Sequence, residues 1–327
     1  MKNSYLYLVL LLSFCSLTLA AQEKVQLPEI AKELKQMRDE DQKLRNKWVS
    51  MHRKGKTESE KFKELTVRAI AADRANTARL REIIAKHGWP TYDLVGPGPS
   101  NNAWLIVQHA DRNPLFQAKC LPLLKEAVDN EQANPSNYAY LYDRVRVSLG
   151  EKQLYATQSW TNNGLEKGSY YPIDDESNVQ NRREEMSVSR TAVENAQSMG
   201  FQYTVPTPEE AQQRAEQLAI SYQKNIAKAK EAFAQEKYLE AVDYYIEVTR
   251  AYGHVTTEDF VYAAKALSLS KHAEIGEGYT FLTRALARGW DGFDQVKSNA
   301  DFSHLRASSP GRWEDLQLTA EQIHLDQ

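Results

Sequence analysis

The chain has 327 residues and a mass of 37.3 kDa, room for about two domains at the usual ~100–200 residues each. Lys and Arg number 41 against 44 Asp and Glu, and this net charge of −3 provides no electrostatic reason for a nucleic-acid or anionic-membrane partner. A content of 42% hydrophobic residues excludes a disordered chain, a mean hydropathy of −0.63 excludes a multi-pass membrane protein, and two cysteines exclude a disulfide scaffold or a cysteine-based zinc module.

Met1-Lys2-Asn3 is a short, singly charged start, Tyr5 to Leu19 is almost wholly apolar, and Leu19-Ala20-Ala21-Gln22 offers small residues for cleavage. This layout predicts a secretory signal peptide over residues 1–21 and a periplasmic or secreted product. The run is shorter than the ~20 residues of a spanning helix, and polar sequence follows, so no stable membrane insertion is expected after cleavage. Bulky Phe14 argues against lipid attachment at Cys15. The other cysteine, Cys120, sits near Leu121, Leu123 and Leu124 and reads as a small buried hydrophobe.

Residues 22–203 read as a helical domain with a small hairpin. Leu34, Met37, Leu44 and Trp48 recur at helical spacing, and Gly55-Lys56-Thr57 interrupts them. Thr57 or Ser59 caps a second long helix carrying Phe62, Leu65, Leu80 and Ile83, which Gly88 closes ahead of Pro90. Gly96-Pro97-Gly98-Pro99 is a turn-rich loop, after which Asn101 or Asn102 can cap a short helix centred on Ala103 to Val107. Asn113-Pro114 and Pro135-Ser136 open two more helices, the latter with an apolar stripe of Tyr138, Leu141, Tyr142 and Val145 that Gly150 ends. Alternation at Leu154, Ala156, Gln158 and Trp160 predicts a strand, Asn162-Asn163-Gly164 a hairpin turn, and Asp174 or Asp175 a cap for the helix through Arg182 and Arg183.

Residues 204–327 look helical and repetitive. Ala229, Phe233, Tyr238, Ala241 and Tyr245 fit the small-and-aromatic pattern of a tetratricopeptide repeat. Ala266, Gly278, Leu282, Ala285 and Leu286 form a weaker second copy, and Trp290, Phe302, Leu305 and Trp313 would cover the open end. Two units are fewer than such arrays need, so packing against the helical domain or a neighbour is expected. The fold class is therefore mainly α, a helical domain with a small β-hairpin followed by tetratricopeptide-like helical hairpins.

The residues suited to chemistry are polar and scattered. Gln108-His109-Ala110-Asp111 follows a segment that should be buried, and His109 is the best candidate for proton transfer. His109 and Asp111 can meet only if the helix ends near Ala110, ahead of Pro114. In Asp143-Arg144, Arg144 reads either as a member of an ion pair or as an anion-binding arginine. Gln158 shares its face with apolar residues, so its amide needs core partners or a ligand. Asp41 and Arg45 are spaced for a helical salt bridge, and Asp73 with Asn76 reads as a solvated face. There is no glycine-rich phosphate loop, nucleophile elbow or His-Glu-x-x-His helix, and no metal or cofactor is assigned.

Asp41-Gln42-x-x-Arg45, Asp73-x-x-Asn76, Gly88-Trp89-Pro90, Val95-Gly96, the run from Trp104 to Asp111, Asp143-Arg144 and Gln153-x-Tyr155-x-Thr157-Gln158 together resemble a bacterial domain family of unknown function. The resemblance spans about Leu34 to Arg183, with Ala156 where the family pattern tends to have glycine. It carries no activity and implies only that these polar positions belong to one unit.

Two functions follow as expectations. One is a hydrolase-like enzyme in which His109 is the acid/base, Asp111 or Asp143 orients it, and Arg144 holds an anionic group. Gln42, Arg45, Asp73, Asn76, Gln108 and Gln158 would contact substrate. It requires His109, Asp143 and Gln158 to share one hollow. The alternative is a protein-binding module using the C-terminal repeats, with the polar motifs structural.

Overall fold

The structure, a computed structural model, describes residues 25–160, 168–249, 253–271 and 275–325. The segment read as a signal peptide and the expected turn at Asn162-Asn163-Gly164 lie outside the described residues. Fifteen α-helices and one two-stranded antiparallel sheet make the described chain mainly α with a small hairpin. None of these helices is long and apolar enough to cross a membrane.

Helices α1 (Pro28–Arg53) and α2 (Glu60–His87) run antiparallel: Glu33 pairs with Arg79, Arg45 with Asp73 and Trp48 with Thr66. The Ser59 side chain accepts the Phe62 N–H at the start of α2, and Gly88 ends it at φ 74°, a left-handed conformation that suits glycine. Helices α3 (Tyr92–Val95), α4 (Pro97–His109), α5 (Pro114–Asp129) and α6 (Pro135–Ser148) complete this half. Leu34, Leu80, Ile83, Val107, Phe116, Leu124 and Leu141 join in one apolar core. Cys120 lies in it, where burial pushes its thiol up to about 12 and keeps it protonated.

Two local expectations fail here for identifiable reasons. Helix α4 starts at Pro97, since Gly96 at φ 86° turns the chain and a proline fits the first helical position. Asn101 therefore lies inside the helix, where its Oδ1 accepts from Asn137 at 2.8 Å. Asp175 does not cap the helix α7 (Val179–Glu185), whose flanking residue is Asn178; its carboxylate instead accepts from Arg182 at 2.8 Å.

The predicted strand from Leu154 shrinks to β1 (Ser159–Trp160), paired with β2 (Ser169–Tyr170). Residues 153–158 form a loop because side chains take the backbone groups that a strand would offer to a neighbour. Asp143, fully buried on α6, accepts the Leu154 N–H at 2.8 Å, the Tyr155 N–H at 3.0 Å, the Thr157 N–H at 3.0 Å and the Thr157 hydroxyl at 2.9 Å. The Gln153 amide oxygen accepts the Thr157 and Gln158 N–H groups at 3.0 and 2.9 Å. Buried Arg183 donates to the Tyr155 and Ala156 carbonyls on the other side. Ala156 sits at φ 51°, so the position where the resembled family tends to have glycine is one whose backbone favours it.

Helix α8 (Ala192–Ser198) carries a Thr191–Glu194 capping box. Helices α9 (Pro208–Ala234), α10 (Tyr238–Thr249), α11 (Thr257–Ser270) and α12 (Gly276–Ala287) follow, each packed on the next around Tyr245, Phe260, Leu267 and Leu282. A side chain at Gly278 would meet Leu305 at 2.9 Å, so glycine permits that close approach. Helices α13 (Phe293–Ser298), α14 (Ser303–Ser308) and α15 (Pro310–Leu325) complete the chain. The two halves touch: Arg284 on α12 donates to the Ser148 carbonyl at 3.0 Å, and Arg74 on α2 reaches Asp315 on α15 at 2.9 Å.

Asp143→Asn keeps the size of the clasp but turns one acceptor into a donor facing N–H groups. It is expected to lower unfolding free energy by about 2–3 kcal/mol in urea denaturation followed by circular dichroism. Unchanged stability would mean that the carboxylate does not hold the loop.

Candidate functional site

Helices α1 and α2 and the C-terminal end of α4 meet around Asp41, which is only 3% exposed. An ionised carboxylate at that depth needs partners. Arg45, one turn along the same helix face, donates through Nε to Asp41 Oδ1 at 2.9 Å and through Nη2 to Asp73 Oδ1 on α2 at 2.7 Å. His109 ends α4, and its Nδ1 lies 2.8 Å from Asp41 Oδ2. Since an ionised carboxylate only accepts, that nitrogen carries a proton, and the bond to Asp41 leaves Nε2 as the ring's other polar atom. Gln42 donates to the same Asp41 oxygen at 3.1 Å.

The two aspartates are driven in opposite directions. Burial acts to raise the Asp41 pKa, but the hydrogen bond and charge of His109, with Arg45, outweigh it and hold the group below its usual value. Burial pushes Asp73 up to about 6; Arg45 opposes this and the nearby Asp41 charge adds to it.

A cleft of about 550 Å³ opens on this cluster, lined by Arg45, Asp73, Thr77, Arg81, His109, Asp111 and Arg112. Glu314, Asp315 and Leu318 of α15 form its far wall. Asp315 accepts from Arg112 at 2.9 Å as well as from Arg74, so the wall is tied to the rim by ion pairs.

Of the residues singled out in the sequence, Arg45, Asp73, His109 and Asp111 line this cleft. Gln42 supports Asp41 from behind, and Asn76 is half-buried one turn past Asp73 without lining the cleft. Gln108 is buried, its backbone carbonyl accepting from Gln117 at 3.3 Å. The expected pairing of His109 with Asp111 or Asp143 does not form. Asp111 accepts from Arg144 at 2.7 Å instead, and both Asp143 oxygens are taken by the loop at 154–157. Arg144 and Gln158 border a second cavity of about 580 Å³ that shares Asp111, Arg112 and Asp315 with the first. His109, Asp143 and Gln158 thus do not converge on one hollow.

In the sequence Asp41 presents itself as one end of a helical salt bridge; the signal that points to the histidine is Asp41-Gln42-x-x-Arg45, which sets two polar side chains beside one aspartate. Among the described residues no group of three or more His, Cys, Asp or Glu side chains is placed to hold a metal ion. Between Asp41 and Asp73 the bridging cation is the Arg45 guanidinium.

A helical domain with a polar cleft between its first, second and fourth helices is thus the class defined. The chain belongs to a family of unknown function, DUF6624, which matches residues 28–197. That stretch holds Asp41, Arg45, Asp73 and His109, while the wall from α15 lies beyond it. Comparison with curated proteins and with solved structures found no match.

Because Asp73 binds its proton more tightly folded than unfolded, its contribution to stability is present at low pH and lost as pH rises from 3.8 through about 6. Carboxyl NMR is expected to show Asp73 titrating near 6. Asp41→Asn, which removes a like charge, should move that titration down, and Arg45→Gln should move it up. An ordinary Asp73 titration, unmoved by either change, would contradict its half-buried placement beside Asp41 and Arg45.

Proposed function

We propose that the cleft is a general acid–base site of hydrolase type built on His109, Asp41 and Asp73, in place of the arrangement of His109 with Asp143 and Gln158 that the sequence suggests and that does not form. The observation that carries this is the 2.8 Å contact between His109 Nδ1 and buried Asp41, on a ring that lines the cleft. Asp41 fixes the tautomer and stabilises the imidazolium that forms when Nε2 takes a proton from water. The resulting hydroxide attacks an electrophilic carbon or phosphorus, the bond to the leaving group breaks as that group takes a proton from Asp73, and exchange with solvent returns the proton held by His109 to Asp73. Arg81 offers a positive charge to a substrate, while Arg112 is held by Asp315.

This reading includes export, with residues 1–21 as the signal peptide, and a division into a unit at 22–203 and a C-terminal unit at 204–327. The latter we read as tetratricopeptide-like hairpins, which the small residues Ala229, Ala241 and Gly278 in its buried core support. Its role here is to supply the cleft's far wall. A second reading makes it a protein-binding unit, favoured by Ile220 and Leu239, exposed at 69% and 60% on α9 and α10; then nothing would depend on His109.

The test is hydrolysis of a panel of p-nitrophenyl carboxylate and phosphate esters. His109→Ala and Asp41→Asn are each expected to lower kcat/KM by about 10²–10⁴-fold. Turnover should also decline as pH rises past about 6, where Asp73 loses its proton, and Asp73→Asn should remove that limb. A wild-type protein inert to the panel, or a His109→Ala variant as active as wild type, would sink the proposal.

A further inference from the structure

The near-balance of charge over the whole chain conceals a local imbalance where α1 turns into α2. Residues 46–72 carry seven Lys and Arg against three Glu, whereas the rest of the chain carries 34 against 41. All seven cations, from Lys47 to Arg68, are exposed. Among the described residues only Lys63 is in an ion pair, with Glu60 at 2.9 Å, and that pair is itself exposed.

This stretch forms an arm. Arg45 ties its base to the domain, donating to Asp73 and to the His109 carbonyl. Beyond that point, among the described residues, the side-chain hydrogen bonds, ion pairs and ring contacts of 46–72 stay within the span. None of its residues joins the domain's apolar core. Past Arg45, α1 continues to Arg53, about 12 Å at ~1.5 Å per residue. Trp48 stiffens the arm: its ring stacks on His52 and packs on Phe62, with centroids at 5.2 and 5.3 Å. Val67, 66% exposed, adds an apolar side chain among the cations.

We propose that the tip of this arm docks the protein on an anionic lipid surface. Five of the seven cations are lysines, mobile point charges that suit the diffuse field of many headgroups. Docking on one fixed carboxylate or phosphate favours the arginine fork instead. Val67 supplies apolar contact of the kind that interfacial segments bury in the headgroup layer. The same surface repels the net negative remainder of the chain, so the protein stands on its tip. This is peripheral attachment, and it inserts no helix. No residue of 46–72 lines the cleft at His109, so the docking is independent of the acid–base chemistry there.

Co-sedimentation with vesicles of phosphatidylglycerol and phosphatidylcholine in equal parts, and of phosphatidylcholine alone, tests this. Binding is expected to the first only, and it should weaken as salt is added. Lys54→Gln, Lys56→Gln and Lys61→Gln combined are expected to lower affinity about tenfold or more. Lys224→Gln, Lys230→Gln and Lys237→Gln combined change the net charge equally, but on and just after α9, and should bind as the wild type does. Melting curves confirm that both variants fold. Four outcomes would each overturn the proposal: no binding to the anionic vesicles, equal binding to the neutral ones, undiminished binding by the tip variant, or equal loss in both variants. Tighter binding to polyglutamate or to duplex DNA than to the anionic vesicles would overturn it too, by assigning the tip to an acidic protein or a nucleic acid.

Discussion

A carboxylate removed from water must be compensated, and the burial of Asp41 imposes that requirement on three helices at once. Its two oxygens take the Arg45 guanidinium, the Gln42 amide and the His109 ring, which ties the middle of α1 to the end of α4. Arg45 then extends the network to Asp73 on α2. The position of His109 is thus set by charge compensation as much as by apolar packing. The same bond that satisfies Asp41 commits one ring nitrogen, on a ring that lines the cleft. Because one arginine serves two aspartates and a nearby histidine favours the first, Asp73 is left with the weaker compensation and the higher proton affinity.

Asp143 is the instructive contrast. It is the more deeply buried of the two carboxylates, yet its partners are backbone N–H groups and a hydroxyl in a single loop. Such a clasp shapes chain rather than chemistry: it bends residues 154–157 out of the strand their alternation suggests and carries Gln158 to the second cavity. Two aspartates with similar depth but different donors therefore do different work, one holding a ring at a cleft and the other holding backbone.

The C-terminal helices add a layer that the family-matched region lacks by itself. Asp315 lies between Arg74 and Arg112, and Arg284 reaches the carbonyls at the end of α6. These contacts set α12 and α15 across the openings left by α2, α4 and α6. Both cavities owe part of their walls to this placement, so their shape depends on how the halves dock.

What the amino-acid sequence determined alone was local. The helical periods of α1 and α2, the caps at Ser59 and Asn113, the glycine stop at Gly88 and the end of α4 at His109 all depend on residues within a turn or two of each other. Even locally, competition misled: Asn101 and Asp175 found side-chain partners rather than helix starts, and Asp143 captured a would-be strand. The tertiary structure alone decided which carboxylate meets the histidine and what closes the cleft. Asp41 and His109 are separated by 68 positions, Arg112 and Asp315 by 203, and no periodicity or cap spans such distances. The identity of those pairs follows from which buried charges the packed helices bring within reach of one another.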